Sequence, residues 1–256
     1  MHPKKKFGQN FLKDKKILGD LINLINISPT NQILEIGPGK GDFSDFIINL
    51  CNSYYGIEID EDLLALLKKK FPEKKEFFIN CDFLKFDPKE IFGLGRFRLV
   101  GNIPYNISSP ILGWCENHYE QIEDMHFMLQ KEFALRCSGT EKTSSYGRLS
   151  VICNYLYEVE ILKDIEREYF EPKPKVDSLF VRFLPKMKEI DSEQFKNLKR
   201  VTRVLFNKKR KKISNSLKDI MKEEDFSDLN VDLNLRPDEL SLSEYIKLSN
   251  KLKDYA

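Results

Sequence analysis

The chain has 256 residues, of which 41% are hydrophobic and 32% are charged, with a formal net charge of +2 at pH 7. This composition is typical of a globular protein rather than a disordered chain, and no apolar run approaches the roughly 18 residues of a membrane span. The five cysteines form no Cys-x-x-Cys pair and the three histidines lie near no ligand cluster, which excludes a disulfide framework and a metal site. We expect a cytoplasmic protein with no membrane contact and no metal ion.

The first predicted elements are a helix over residues 17–27, a buried strand over residues 32–36 and a glycine-rich turn over residues 37–41. A second helix is predicted to follow from Asp42 to Leu50. A strand, a glycine-rich turn and a helix in succession open a doubly wound α/β fold and place a ligand at the carboxyl end of the strand. The turn alone is weak evidence, because a dinucleotide-binding protein would show a similar pattern.

A second predicted strand, residues 54–60, ends in acidic residues about twenty positions beyond the glycine turn. A carboxylate such as Glu58 at this place accepts hydrogen bonds from both hydroxyls of a ribose, which suits NAD and S-adenosylmethionine equally. A third strand, residues 77–82, ends at Asp82, whose carboxylate is able to accept a hydrogen bond from an adenine amine. The lack of a matching pyrophosphate motif favours S-adenosylmethionine.

A fourth strand, residues 97–101, leads into Asn102-Ile103-Pro104-Tyr105. The Asn102 side-chain oxygen and the Pro104 carbonyl offer two acceptors to the hydrogens of an adenine amine, and the Tyr105 ring offers a wall for the base. The same four residues are also common in ordinary turns between a strand and a helix. The tetrapeptide alone leaves both interpretations open.

The sheet is predicted to continue with a strand over residues 125–130 and to close with a strand over residues 179–184. Between them, two prolines in residues 170–178 predict a stiff, extended segment that presents Phe170 to the second face of the base. Residues 185–191 are the predicted linker, and the chain beyond them is predicted to be helical. We therefore predict a catalytic domain over residues 1–184 and a small helical domain over residues 185–256.

Basic residues are concentrated in the predicted helical domain. Residues 199–212 contain eight lysines and arginines and no acid. Such a segment predicts contact with a polyanion such as RNA, although an ordinary solvated lysine-rich face has the same composition. The predicted RNA contacts are Lys208, Lys209, Arg210, Lys211 and Lys212.

Seven motifs together resemble the ribosomal RNA adenine dimethyltransferase family, and within it the bacterial KsgA type. They are residues 7–12, 34–39, 58–60, 102–108, 129–132, 146–150 and 170–178. The resemblance implies a Rossmann-like class I methyltransferase domain with a small all-helical C-terminal domain. It also implies that the S-adenosylmethionine pocket is formed by Asn10, Leu12, Gly37, Glu58, Asp82 and Asn102. The catalytic and base-binding residues expected from these arguments are Asn102, Pro104, Tyr105 and Phe170.

The family resemblance further implies dimethylation of two adjacent adenosines in the 3′-terminal hairpin loop of small-subunit (16S) rRNA, with S-adenosylhomocysteine as product. The expected partner is the precursor of the small ribosomal subunit, and the expected state is a monomer. Two alternatives stay open. The Erm type shares the fold and chemistry but methylates large-subunit (23S) rRNA, and a ribosome-assembly factor would use methylation only secondarily. The motif in residues 207–217 and that in residues 236–241 resemble the KsgA type.

Overall fold

The structure is a computed structural model, and it describes residues 10–186 and 190–252. Residues 7–9, the first half of the motif in residues 7–12, lie outside the described residues, as do residues 187–189 of the predicted linker. Within the described ranges, no helix is long and apolar enough to cross a membrane.

A seven-stranded sheet forms the centre of the fold. Its strands are β2 (Gln32–Ile36), β3 (Ser53–Glu58), β4 (Phe78–Asn80), β5 (Phe97–Asn102), β6 (Ile122–Gln130), β7 (Tyr157–Ile165) and β9 (Ser178–Pro185). They lie side by side in the order β4-β3-β2-β5-β6-β9-β7. The pairs among β2 to β6 are parallel, and β9 runs antiparallel to β6. Ile36 pairs with both Ile57 and Gly101, so the carboxyl ends of β2, β3 and β5 lie at one edge.

The α-helices of the described residues are α1 (Lys15–Ile25), α2 (Ser44–Ile47), α3 (Glu61–Lys70), α4 (Lys89–Phe92), α5 (Ser108–Asn117), α6 (Lys131–Ser138), α7 (Arg148–Leu156), α8 (Ser192–Asn207), α9 (Ser214–Leu217) and α10 (Leu242–Lys251). Local capping explains several of the boundaries. The Asp14 side chain accepts hydrogen bonds from the first N–H groups of α1, and Asp60 does the same for α3. The helix predicted from Asp42 to Leu50 is wrong in extent, because only α2 is helical and turns flank it.

A second, two-stranded sheet pairs β1 (Phe11–Leu12) with β8 (Phe170–Glu171) in antiparallel register. Leu12 lies opposite Phe170, and both side chains are buried in the main apolar cluster with residues such as Met128 and Phe180. Burial of these large apolar side chains anchors the start of the described chain against the central sheet.

The chain divides into two compact units. The first comprises the chain up to Ala134 together with Glu160–Pro185, and the second comprises Leu135–Val159 and the chain from Lys186 onward. The predicted assignment of residues 1–184 to one domain therefore differs over Leu135–Val159. This stretch groups with the C-terminal helices because the Tyr155 hydroxyl donates a hydrogen bond to Gln194 Oε1 at 2.7 Å and its ring stacks on Phe195.

Candidate active site

A cavity of about 290 Å³ lies at the carboxyl ends of the parallel strands. It is lined by residues that follow β2, β3, β4 and β5, and by the segment that contains β1. The predicted site residues on its wall are Asn10, Leu12, Gly37, Glu58, Asp82, Asn102, Pro104 and Tyr105. The register of the parallel strands and the β1–β8 pair thus bring residues up to 95 positions apart in the sequence to one cavity.

The glycine-rich turn forms one side of the cavity. Gly37 has φ +60° and donates a backbone hydrogen bond to the Ile57 carbonyl at 2.9 Å. Gly39 has φ +63°, and a Cβ atom at this position would lie 2.9 Å from the Phe11 ring. Only glycine accommodates both the left-handed conformation and the close approach of the ring. The turn therefore exposes bare backbone to a ligand.

Glu58 ends β3 with a buried carboxylate whose two oxygens are both held in place. Oε2 accepts a hydrogen bond from the Gly39 N–H at 2.9 Å, and Oε1 accepts one from the Asp60 N–H at 2.9 Å. Burial raises the pKa of Glu58 above its usual range. Each oxygen of a carboxylate is able to accept a second hydrogen bond, so Glu58 is oriented to receive a pair of hydroxyl donors.

Asp82 follows β4 and starts a short 3-10 turn, in which its Oδ1 accepts a hydrogen bond from the Leu84 N–H at 3.1 Å. Two apolar side chains beside the acids were not predicted from the sequence. Ile59 and Leu84 line the cavity and are 46% and 37% exposed. Ile59 directly follows Glu58, and Leu84 lies two positions after Asp82. Their exposed apolar surface suits a flat ring. Apolar residues within two positions of each strand-end acid were the available signal.

Asn102 ends β5, and its amide orientation is fixed by the segment before β1. Its Nδ2 donates a hydrogen bond to the backbone carbonyl of Asn10 at 2.6 Å. A carbonyl oxygen only accepts, so the amino group of Asn102 must face Asn10 and Oδ1 must face elsewhere. Asn102 lines the cavity, which leaves its oxygen available as the predicted acceptor.

The hydrogen bonding of the Pro104 carbonyl differs from the prediction in one respect. Its carbonyl, expected to accept a hydrogen bond from a bound amine, already accepts one from the Ile107 N–H at 3.1 Å and one from Ser108 Oγ at 3.4 Å. A carbonyl oxygen has two lone pairs, so an amine must displace the longer bond from Ser108. The Ser108 hydroxyl is able to rotate away, so its hydrogen bond is the easier of the two to break.

Tyr105 lines the cavity, and its ring is tied at the far end. The hydroxyls of Tyr105 and Ser178 are hydrogen-bonded at 3.0 Å, and Ser178 is fully buried at the start of β9. Burial raises the pKa of Tyr105, so its hydroxyl stays protonated at neutral pH. The ring is joined to the backbone at one end and hydrogen-bonded to Ser178 at the other, so it offers a fixed flat surface.

Phe170 is not part of the cavity wall. Its side chain is 2% exposed and lies in the main apolar cluster, opposite Leu12 in the β1–β8 pair. The expectation that residues 170–178 present this ring to a bound base is therefore not met in this structure, because the ring is buried under β1. The structure brings Asn102, Pro104 and Tyr105 together without it.

Glu35 and Asp42 also line the cavity and were not among the predicted site residues. Together with Glu58 and Asp82 they make its charged groups all acidic, and no lysine, arginine or histidine of the described chain lines it. Glu35 is the acid of an otherwise apolar strand just before the glycine turn. An acid at a buried strand position was the signal that could have identified it.

The predicted RNA-contacting residues lie in the second unit, between α8 and α9. Three of them bond to other residues of that unit: Lys208 to Asp219, Lys209 to Asp238 and Tyr146, and Lys212 to Asn234. Arg210 and Lys211 are exposed, and their side chains have no hydrogen bond or ion pair with any residue that the structure describes.

Comparison with known proteins gives a consistent result. A family model described as "Ribosomal RNA adenine dimethylase" matches residues 1–254. "Ribosomal RNA small subunit methyltransferase A" of Saccharophagus degradans is 40% identical over 252 residues, which are 97% of this chain and 94% of that protein. The protein of the same name from Pseudomonas aeruginosa is 39% identical over 254 residues, 98% of this chain and 95% of its own length.

Solved structures share the fold. The crystal structure of the 23S rRNA methyltransferase ErmE aligns with a TM-score of 0.73 at 25% identity, over 95% of this chain and 99% of that one. A dimethyladenosine transferase from Plasmodium falciparum aligns with a TM-score of 0.78 at 23% identity, over 95% of this chain and 98% of that one. Sequence identity is thus higher to the small-subunit methyltransferases than to ErmE.

Proposed function

Because the chain belongs to the ribosomal RNA adenine dimethylase family, we propose that it transfers methyl groups from S-adenosylmethionine to N6 of two adjacent adenosines in the 3′-terminal hairpin loop of small-subunit (16S) rRNA. The observation that carries the proposal is the orientation of Asn102, whose Nδ2 is held by the Asn10 carbonyl. Its oxygen is thereby committed as an acceptor beside the acid-lined cavity.

The cavity residues fit S-adenosylmethionine. Glu58 offers two positioned carboxylate oxygens for the ribose hydroxyls, and Asp82 offers an acceptor for the adenine amine. Ile59 and Leu84 offer apolar surface for the adenine ring. The bare backbone at Gly37 admits the amino-acid part of the cofactor, and Asn10 and Leu12 close the wall. When bound, the cofactor supplies a methyl group on a cationic sulfur.

Besides binding the cofactor, the protein must activate the adenine amine, a poor nucleophile, for attack on the methyl group. The lone pair of an adenine amine is delocalised into the ring, and hydrogen bonds from its two N–H groups to Asn102 Oδ1 and the Pro104 carbonyl favour a pyramidal nitrogen. The methylated amine is acidic and gives its proton to water, so no side-chain base is needed. Alignment of this kind contributes up to about 7 to 11 kcal/mol in favourable cases.

The target adenosine must leave its stack to reach the cavity, and an aromatic wall compensates part of that cost, about 1 to 3 kcal/mol for each stacked base. Tyr105 fits this role because its ring lines the cavity and its hydroxyl is anchored on Ser178. Phe170 supports β1 from the core in this proposal, and a stacking role for its ring stays a prediction.

We assign the RNA contacts to the basic segment between α8 and α9. Arg210, Lys211 and Lys212 are its exposed members, and the side chains of Arg210 and Lys211 have no partner among the described residues. The proposed partner is the precursor of the small ribosomal subunit. Because that substrate is assembled in the cytoplasm, we propose that the protein acts there, as a monomer.

The test uses purified protein, methyl-labelled cofactor and two substrates: immature small subunits that lack the modification, and protein-free large-subunit rRNA. We expect label on two adjacent adenosines of the small-subunit RNA only. Label on the large-subunit RNA alone would instead support the Erm alternative.

Asn102→Ala should abolish labelling because it removes the proposed acceptor for the target amine. The variant also loses the Nδ2 hydrogen bond to the Asn10 carbonyl, so cofactor affinity is measured in parallel and should fall far less than the labelling. Asn52→Ala, an exposed position away from the cavity, is the matched control. If Asn102→Ala protein still bound subunits and sustained normal subunit maturation in cells, the assembly-factor alternative would replace an enzymatic role.

A further inference from the structure

The cavity proposed for the cofactor has a charge that the reaction itself changes. Its lining contains the carboxyl groups of Glu35, Asp42, Glu58 and Asp82, and no cationic side chain of the described residues. The methyl donor carries a positive sulfur, whereas the product carries a neutral one. An acidic cavity therefore interacts more favourably with the donor than with the product.

Glu35 is the most deeply placed of these acids. It is 2% exposed, within β2, and its Oε2 accepts hydrogen bonds from the Tyr54 hydroxyl at 2.6 Å and from Ser44 Oγ at 2.8 Å. The hydroxyl oxygens of Ser44 and Tyr54 also lie 2.9 Å apart. These two donors hold the carboxyl against β3 and the start of α2 while Glu35 remains part of the cavity wall.

The surroundings of Glu35 influence its ionisation in opposite directions. Burial is the largest influence and favours the neutral acid, the hydrogen bonds from Tyr54 and Ser44 favour the carboxylate, and the nearby carboxyls of Asp42 and Glu58 disfavour it. The net result raises the pKa of Glu35 to about 7. Burial also raises the pKa of Asp42 and of Tyr54, so the tyrosine remains a donor. Glu35 is thus poised to change charge near neutral pH.

We propose that Glu35 determines the specificity of the cavity for the charged methyl donor over the neutral product, being ionised when the sulfonium is present and taking up a proton when the thioether replaces it. This inference rests on the proposed function. The uptake of a proton removes a buried negative charge that the neutral product no longer balances. The ionised carboxyl therefore stabilises the complex with the sulfonium donor and gives no comparable stabilisation to the product.

The test is the binding of S-adenosylmethionine and S-adenosylhomocysteine to the whole protein by titration calorimetry at pH 5.5 and 7.5. This range stays below the pKa of the α-amino group that both ligands share, which is about 7.7 to 8.0 in reference compounds. We expect the Kd of the donor to rise about tenfold on going from pH 7.5 to 5.5 and that of the product to rise less than threefold. The Kd of the product divided by the Kd of the donor should therefore fall between pH 7.5 and pH 5.5.

Glu35→Gln should remove this change of ratio, because the amide keeps an oxygen for Tyr54 and Ser44 but cannot ionise. Glu61→Gln, an exposed acid at the start of α3 outside the cavity lining, is the matched control and should behave like the unmodified protein. Ser44→Ala provides a second variant. It removes a hydrogen bond that favours the carboxylate and should move the midpoint of the pH dependence upward.

Proton exchange gives a measurement that needs no substitution. Titrations in two buffers of different ionisation enthalpy should show net proton release on donor binding at pH 6.5 and a smaller release on product binding. The inference is overturned if the ratio of Kd values is the same at both pH values, or if its change persists in Glu35→Gln. Failure of both ligands to bind at any pH would instead contradict the proposed function.

Discussion

Single side chains in the proposed base site are set by partners far away in the chain. Asn102 takes its orientation from a backbone carbonyl 92 residues earlier, and Tyr105 is anchored on a serine 73 residues later. Both partners belong to segments whose position depends on the β1–β8 pair and on the register of β9 against β6. The chemistry of Asn102 therefore depends on packing that holds β1 in place.

Phe170 is the residue on which that packing can be tested. Its ring is buried in the apolar cluster, opposite Leu12. Phe170→Ala should lower the free energy of unfolding by about 3 to 5 kcal/mol, because it removes a large buried side chain and leaves a cavity. Urea unfolding followed by circular dichroism measures the change. Leu162→Ala, at a partly buried position on the edge of the same cluster, should cost less.

Phe170→Leu separates packing from a contact with the base. Leucine retains most of the buried volume, so the variant should stay folded at the assay temperature. If the variant methylated RNA at least tenfold more slowly, with unchanged cofactor affinity, the ring would have to leave the core to stack on the base. An activity that follows the folded fraction would confine Phe170 to packing.

The sequence pointed to the residues that stand at strand ends and less well to those within strands. Glu58, Asp82 and Asn102 could be placed at one edge because parallel strands align their carboxyl ends. Glu35 was missed because its strand reads as buried and apolar. The burial of Phe170 was also missed, because two prolines predict an extended segment without saying against which surface it packs.

At the scale of elements, the glycine turn is held from two sides. On one side the Phe11 ring lies against Gly39, and the Lys40 ammonium is 4.6 Å from the centre of that ring. On the other side Lys70, the last residue of α3, donates hydrogen bonds to the carbonyls of Lys40 at 3.1 Å and Gly41 at 3.4 Å. Its third bond, to an Asp45 carboxylate oxygen at 2.6 Å, fixes the ammonium in place.

Lys70→Met tests whether this clamp positions the turn. The apolar stem is kept while all three donors are lost, so the turn should become more mobile and the Kd for S-adenosylmethionine should rise about three- to tenfold, equivalent to roughly 1 kcal/mol. We expect kcat to change less than twofold, since Lys70 does not line the cavity. Lys69→Met, at the preceding exposed position, is the control. A Kd equal in both variants would contradict a positioning role.

Element types were more predictable than their boundaries. The strands of the parallel sheet lie within a few residues of their predicted ranges, because continuous apolar runs mark buried strands. The helix after the glycine turn is shorter than predicted, since the turn continues to Phe43 before α2 begins. Likewise, α5 begins at Ser108, with Ile107 at the cap, although the neighbouring Ser109 is also a residue type found at helix starts. Composition alone does not decide between adjacent residues.

At the scale of the whole molecule, the net charge of +2 conceals an uneven distribution. The proposed cofactor cavity is acidic, whereas the segment proposed for RNA is basic. The side chains of Arg210 and Lys211 are exposed without a partner among the described residues, but those of Lys208 and Lys212 bond to Asp219 and Asn234. The two groups of cations should therefore respond differently to substitution.

Binding of RNA should weaken steeply with salt, since neutralised phosphates release counterions. Arg210→Ala and Lys211→Ala should each reduce the slope of log K against log salt concentration by about 0.7 to 0.9. Lys208→Ala and Lys212→Ala should change the slope less, because their side chains are already engaged. Fluorescence anisotropy with a labelled hairpin RNA measures the four slopes. A slope near zero for the unmodified protein would remove this segment from the RNA interface.

The stability of the first unit against acid depends on a buried ion pair. Arg98 Nε and Nη2 donate to the two carboxylate oxygens of Asp124, each at 2.8 Å, and the same guanidinium donates to the carbonyls of Ile25 and Asn26. It thus joins the end of α1 to β5 and β6. Burial opposes ionisation of Asp124, but His126 and Arg98 outweigh it and hold the pKa of Asp124 at about 2.

A carboxyl whose pKa is lower in the folded protein than in the unfolded chain stabilises the fold above its unfolded pKa, and this contribution is lost as pH falls through the folded value. For Asp124 the loss should run from about pH 4 to pH 2 and amount to roughly 2 kcal/mol. Urea unfolding of the Asp124→Asn and Asp20→Asn variants at several pH values separates the contribution of Asp124 from that of the exposed acids. Asp124→Asn should be less stable at pH 7, because Arg98 is left buried without its charge partner, and its stability should fall less between pH 4 and pH 2. Parallel pH curves for Asp124→Asn and the unmodified protein would assign the acid sensitivity to other carboxyls.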